Sequence, residues 1–275
     1  MENKNRKRIV KTVLLAGMAV CLIPVGQAYH HFVQHKVQQE GLREMRAEAP
    51  VQYPVQEDRA PQKAAGSVLS GAADKENMQT ENNPVMLAGY AGLYEKNKDL
   101  AGWISIEGMK IDYPVMQTED NTYYLHHDFY GEDSPYGCLY VKEQADLDAG
   151  TNFVIYGHNM RDGSMFGDLD LYLKESFYKE HPVISFDTLY EERTYDIIAV
   201  FRSQVYNAND DVFKYYQFYE ADTQEEFEYF YTNIKELSLY DTGVEAEFGD
   251  TFLTLSTCAY HVEDGRLVVV AKRTE

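Results

Sequence analysis

Cysteine is nearly absent. The 275 residues hold three, Cys21, Cys138 and Cys258, which excludes a small fold stapled by many disulfides. Cys21 lies in an apolar run, so two thiols are left for the rest of the chain, either joined in a bridge or free. A chain of 31.7 kDa with 44% hydrophobic residues and 23 tyrosines has material for a full core and does not need the bridge. Cationic side chains are short as well: 25 Lys and Arg stand against 45 Asp and Glu. Eight of the cations and only three of the acids fall within residues 1–46, leaving 17 against 42 beyond. So acidic a surface repels a phosphate backbone, which excludes nucleic acid as a partner. Long apolar runs are missing too, with one exception, and there is no internal repeat.

The exception is residues 9–28. They form an apolar run long enough to cross a bilayer, with Lys4, Arg6, Lys7, Arg8 and Lys11 before or within its start. Cations stay on the cytoplasmic side, so residues 1–8 are read as a cytoplasmic basic segment, 9–28 as a single-pass transmembrane anchor, and everything beyond as extracellular. Gly26 and Ala28 also suit a signal peptidase, so a cleaved signal peptide competes with the anchor. Residues 29–82 are read as a juxtamembrane segment and flexible stalk, since 47–82 carries prolines, alanines and charges without an apolar period. A folded domain is expected over 83–275, with residues 1–82 removable without unfolding it.

Within that domain Asn83 and Pro84 suit the start of a helix carrying Leu87, Tyr90, Ala91 and Tyr94. Strand signals follow near 102–106, 111–116, 137–141, 152–156, 183–187, 193–203, 251–257 and 266–272, separated by Gly, Pro, Asn and Asp clusters. Two helical stretches interrupt them: 164–181, and a longer one opened by a Thr223 to Glu226 capping box with Phe227, Phe230, Tyr231, Ile234 and Leu237 on one stripe. The fold class is therefore mostly β with added helices, in a closed eight-stranded barrel or a sandwich.

The last strand pair carries the chemistry. Along "TFLTLSTC" the residues Phe252, Thr254, Ser256 and Cys258 alternate with Leu253, Leu255 and Thr257. If the leucines face a core, Cys258 ends its strand on the less buried face, where a thiol meets substrate. Arg266 opens the partner strand within reach of it. A fixed cation beside a thiol favours thiolate and offers donors to an oxyanion. A cysteine nucleophile also needs a proton shuttle. Of eight histidines, His158 differs in following an apolar strand, "NFVIYG", at its terminus, with Gly157 before it and Asn159 after it.

"YGHNM", "TLSTC" and an arginine eight residues past the cysteine in "RLVVVAK" together resemble the signature segments of the sortases. "GWISIEGMKIDYPVMQTEDNTYYLHHDF" and the long helix after Thr223 are similar to class B in particular. The resemblance covers about residues 84–273. It implies an eight-stranded sortase-type barrel with an N-terminal helix and a long helix between strands 6 and 7, and a membrane-anchored cysteine transpeptidase of a Gram-positive cell surface. Cys258 would attack the threonine carbonyl of a C-terminal sorting motif of NPxTx type, Arg266 would hold the oxyanion, and His158 would protonate the leaving amine. The thioacyl enzyme would pass its acyl group to a cell-wall amine on a lipid II-like peptidoglycan precursor. Ser256, Asn121, Leu125 and Thr257 would contact the sorting peptide. The implied partners are secreted proteins bearing a sorting signal, the precursor amine and the membrane; no cofactor or metal is implied. Asp162, Asp168 and Asp170 are read as capping and solvated acids, Cys138 as a packed thiol, and Tyr260 stands where some class B enzymes carry an acidic residue. Two other readings use the same residues: an extracellular cysteine peptidase or amidase, and an inactive barrel that binds wall peptides.

Overall fold

The structure, a computed structural model, describes residues 33–34, 36–49, 84–260 and 262–274. Eight strands close into one barrel: β1 (Leu100–Ser105), β2 (Asp112–Gln117), β3 (Leu139–Val141), β4 (Asn152–Gly157), β5 (Val183–Thr188), β6 (Thr194–Gln204), β7 (Phe252–Cys258) and β8 (Gly265–Arg273). Their order around the ring is β1-β2-β3-β4-β7-β8-β6-β5, and β5 pairs with β1 to close it. All eight fall within two residues of the expected strands. Two neighbouring pairs are parallel, β2 with β3 and β4 with β7; the others are antiparallel.

Alternation along the strands builds two cores. Leu253, Leu255, Leu267, Val269 and Ala271 point inward with Ile104, Ile155 and Phe186. Their neighbours Phe252, Val268 and Val270 point outward, against Phe227, Phe230 and Ile234 of helix α4 (Gln224–Leu237). The face of β7 expected to be less buried is therefore covered too, and only its end, at Cys258, escapes the cover. Helix α4 starts as read from the sequence: the Thr223 hydroxyl accepts from the Glu226 N–H, and the Glu226 carboxylate accepts from the Thr223 N–H at 3.1 Å. Its apolar stripe ends one turn early, with Leu237 43% exposed.

Two other helical expectations change. Residues 164–181 form a 3-10 helix, Gly167–Leu173, followed by α3, Glu175–Glu180. Leu169 and Tyr172 are buried three residues apart, the period of the tighter helix. A β-carbon on Gly167 would lie 2.2 Å from the Met160 carbonyl, so this turn is pressed against its own entry loop. Helix α2 spans Ala88–Lys96, four residues later than its expected start, because residues 84–87 run without helix and the Leu87 N–H is bonded to the Leu189 carbonyl.

A helix over residues 36–48, α1, lies inside the segment read as juxtamembrane chain and stalk. It packs on the barrel: Leu42 and Met45 are buried, and the Arg46 guanidinium pairs with the Asp112 carboxylate at 2.7 Å. Beneath it lies a cavity of about 240 Å³ whose floor includes Cys138, Leu139 and Met165. The basic segment 1–8, the anchor 9–28 and most of the stalk lie outside the described residues. Among the described residues no helix is long and apolar enough to cross a membrane.

The packing of α1 changes what truncation should do. Burying an aliphatic side chain is worth roughly 1.5–3 kcal/mol, and 1 kcal/mol moves the melting point of a domain this size by about 2–4 °C. Deleting residues 1–82 is therefore expected to lower the melting temperature by about 5 °C or more and to open Cys138 to alkylation. An unchanged melting temperature and a silent Cys138 would show that α1 contributes nothing to the barrel.

Candidate active site

Strands β4 and β7 run parallel in register from Asn152↔Phe252 to Gly157↔Thr257. His158 and Cys258 are the residues that follow this last pair. Parallel neighbours lie about 4.8 Å apart, so the ladder carries the two residues to the same rim of the barrel, one position past its last pair. The end of the ladder is pinned by side chains. The Thr257 hydroxyl donates to the Gly157 carbonyl at 2.8 Å, and the Asn159 side-chain amide donates to the Cys258 carbonyl at 2.8 Å. Gly157 serves close approach: a β-carbon there would lie 2.3 Å from Leu139 and 2.8 Å from Phe166.

On its other side β7 pairs with β8, and the residue opposite Cys258 is Arg266. Residues directly opposite in an antiparallel pair have β-carbons about 5 Å apart. Arg266 Nη1 donates to the carbonyls of Asp264 at 3.1 Å and Gly265 at 2.9 Å. One nitrogen thus anchors the guanidinium to the carbonyls of its own loop. The loop carries the constraint in its backbone, since Asp264 has φ of +52°.

His158 Nε2 lies 2.8 Å from the Leu125 carbonyl. A carbonyl only accepts, so Nε2 carries the hydrogen and Nδ1 is the nitrogen left to gain or lose a proton. Leu125, expected to touch a peptide, thus orients the histidine through its backbone.

The other expected peptide contacts sit differently. Ser256 is 1% exposed and shares a 2.7 Å hydrogen bond with the Tyr215 hydroxyl; Thr257 is 2% exposed and bonded to Gly157. Both lie beneath the rim, Ser256 under the 3-10 turn Tyr215–Gln217 on the outer face of β7 and Thr257 on the opposite face, and neither is open to a peptide here. Asn121 is half-buried, and its side-chain oxygen accepts from the Glu143 N–H at 2.8 Å, tying the turn before Leu125 to the chain after β3. Of the seven expected site residues, the fold brings Cys258, His158 and Arg266 together with the Leu125 backbone, and uses Ser256, Thr257 and Asn121 as struts.

Tyrosines the sequence reading passed over surround this centre. Tyr140 and Tyr156 stack at 5.5 Å between ring centres on adjoining strands. Burial pushes the Tyr140 hydroxyl up to about 12, opposed by the Arg266 charge and reinforced by Cys258, so this ring is within electrostatic reach of both. Tyr215 is likewise pushed up to about 12 by burial. Their signal in the sequence, aromatic runs such as "FKYYQF", does not differ from core aromatics.

Both described thiols are free. Cys138 is buried, and desolvation drives its pKa far above the usual thiol range. Asp162 accepts from the Ser164 backbone and hydroxyl, and Asp168 from the Lys110 N–H; among the described residues no three acids, histidines or cysteines are grouped to hold a metal.

The family model described as Sortase domain matches residues 104–274. The chain belongs to the sortase family. Sortase B of Listeria monocytogenes is 37% identical over 185 residues, covering 66% of this chain and 72% of that one, and sortase B of Staphylococcus aureus is 33% identical over 186 residues. Among solved structures, Bacillus anthracis sortase B in complex with AAEK1 superposes with a TM-score of 0.61 at 32% identity, covering 70% of this chain and 90% of that one. A Staphylococcus aureus sortase B–substrate complex gives 0.62 at 30% identity over 69% and 86%. This sortase is thus of class B and is a cysteine transpeptidase, with the eight-stranded sortase fold expected of it.

The two thiols should separate cleanly by chemistry. At pH 7–8 iodoacetamide is expected to modify Cys258 and leave Cys138 untouched until denaturant is added, read by peptide mass spectrometry. Equal labelling of both in the folded protein would contradict the burial of Cys138.

Proposed function

We propose that this sortase cleaves a C-terminal sorting motif of NPxTx type after its threonine and transfers the protein to a cell-wall amine, with Cys258, His158 and Arg266 as the catalytic set. The observation that carries this reading is the meeting of three residues at one rim: His158 and Cys258 follow the last β4–β7 pair, and Arg266 stands opposite Cys258. The Cys258 thiol passes its proton to His158 Nδ1, the resulting thiolate attacks the threonine carbonyl, and the tetrahedral oxyanion is held by the free edge of the Arg266 fork. As the C–N bond breaks, His158 Nδ1 gives its proton to the departing amine, leaving a thioester on Cys258. An incoming amine then loses a proton to Nδ1 and attacks the thioester, and the C–S bond breaks to return the thiolate. A lipid II-like precursor supplies an amine of the required kind. Residues 9–28 would hold the enzyme at the outer membrane face, where both substrates arrive.

A peptidase with the same residues would pass the acyl group to water. Incubating the protein with an NPxTx peptide, with and without an added amine, separates the two: transpeptidation predicts that the amide product dominates when amine is present, and hydrolysis alone would overturn it. Cys258→Ala should abolish the reaction while Cys138→Ala keeps most of it; equal losses would refute the assignment of the nucleophile.

Arg266→Lys tests the oxyanion role. An ammonium could supply charge, but it cannot anchor to two loop carbonyls and still present a planar edge. Losing one oxyanion donor costs about 10²- to 10³-fold in turnover. The variant is expected to lose at least about 10²-fold in kcat while Cys258 alkylation at neutral pH changes little. Activity and alkylation falling together would assign the arginine to thiol activation instead.

A further inference from the structure

After Gly157 the backbone of β4 leaves the ladder. Asn159 bridges to Met165, the Phe166 N–H donates to the His158 carbonyl at 2.9 Å, and residues 158–166 close into a narrow loop. That loop is itself held. Met165 is buried at a left-handed φ of +53°, a conformation a non-glycine residue keeps only when its surroundings impose it, and its N–H donates to the Tyr113 hydroxyl at 3.2 Å. The last backbone rung between the catalytic strands is thus Gly157↔Thr257, one residue short of the reacting pair.

The Asn159 side chain replaces the missing rung. With its backbone turned toward Met165, its amide reaches back across the gap to the Cys258 carbonyl at 2.8 Å. On the β8 side the ladder continues, because the Ala259 N–H donates to the Gly265 carbonyl at 2.9 Å. Cys258 is therefore gripped on both sides, by backbone from β8 and by one side chain from the histidine loop. That side chain belongs to the residue next to His158, so any change in the bond alters the distance between imidazole and thiol directly. We infer that Asn159 is a positioning residue for transpeptidation: its amide holds the Cys258 carbonyl and sets the separation of thiol and imidazole. The inference rests on the proposed roles of Cys258 and His158.

Proton transfer between positioned groups is sensitive to distance, and a misplacement of about 1 Å can cost about 10²-fold. The bond joins two groups of the chain itself, so its loss is expected to fall on turnover rather than on peptide affinity. Asn159→Ala removes the donor, and Asn159→Asp keeps the shape while replacing the donor by an acceptor that cannot bond a carbonyl. Both variants of the full chain, assayed with an NPxTx peptide and an added amine at neutral pH, are expected to lose about 10-fold or more in kcat. KM for the peptide should stay within about 3-fold and the melting temperature within a few degrees of the parent. Asn159→Asp with parental turnover would show that shape alone matters and overturn the inference. So would a loss that falls on KM, or one that tracks a collapse of the melting temperature. A parent protein that transfers nothing to the amine would instead sink the functional reading on which the inference stands.

Discussion

The parallel pairing of β4 with β7 is the constraint on which the site depends. These strands are about a hundred residues apart in sequence, and everything between them, including β5, β6 and α4, is folded away so that they can lie side by side. Parallel strands need a covered sheet on both faces, and here the covering is explicit: the barrel interior takes Leu253 and Leu255, and α4 takes Phe252. The six rungs from Asn152↔Phe252 to Gly157↔Thr257 then act as a ruler. A slip of one residue in this pairing would set His158 and Cys258 on opposite faces of the sheet.

That ruler is reinforced where it ends. Thr257 to Gly157, Asn159 to Cys258 and Tyr215 to Ser256 are three hydrogen bonds within two residues of the thiol, all of 2.7–2.8 Å. The histidine is oriented by a backbone carbonyl and the arginine by two more. Cys258, His158 and Arg266 are thus held by partners that are mostly main chain or buried hydroxyls.

Much of this was legible in the sequence. Strand alternation and turn residues located all eight strands, and the Thr223 to Glu226 box located α4, because these signals are local. The candidate pair Cys258 and Arg266 followed from a hairpin, also local, and His158 from its place at a strand end. Alternation, however, separates two faces without saying what covers either, so it could not show that Ser256 and Thr257, peptide contacts by the resemblance, are buried with Tyr215 and Gly157 as partners. A helix over 36–48 was hidden because it is stabilised by the barrel surface under Leu42 and Met45 more than by its own pattern. The role of the Leu125 carbonyl could not be read at all, since a backbone atom leaves no side-chain signature, and the tyrosines near Cys258 look like any other core aromatics.

The register of β4 on β7 can be measured directly. In His158→Cys, the new thiol would stand beside Cys258 one position past the last rung, and Cα atoms 4.4–6.8 Å apart permit a disulfide. The account predicts that this variant, under mild oxidant, loses two thiols and two mass units, with a peptide containing residues 158 and 258 joined. Two thiols that stay free in the folded protein under the same oxidant would contradict the alignment of the strands and, with it, the placement of His158 beside Cys258.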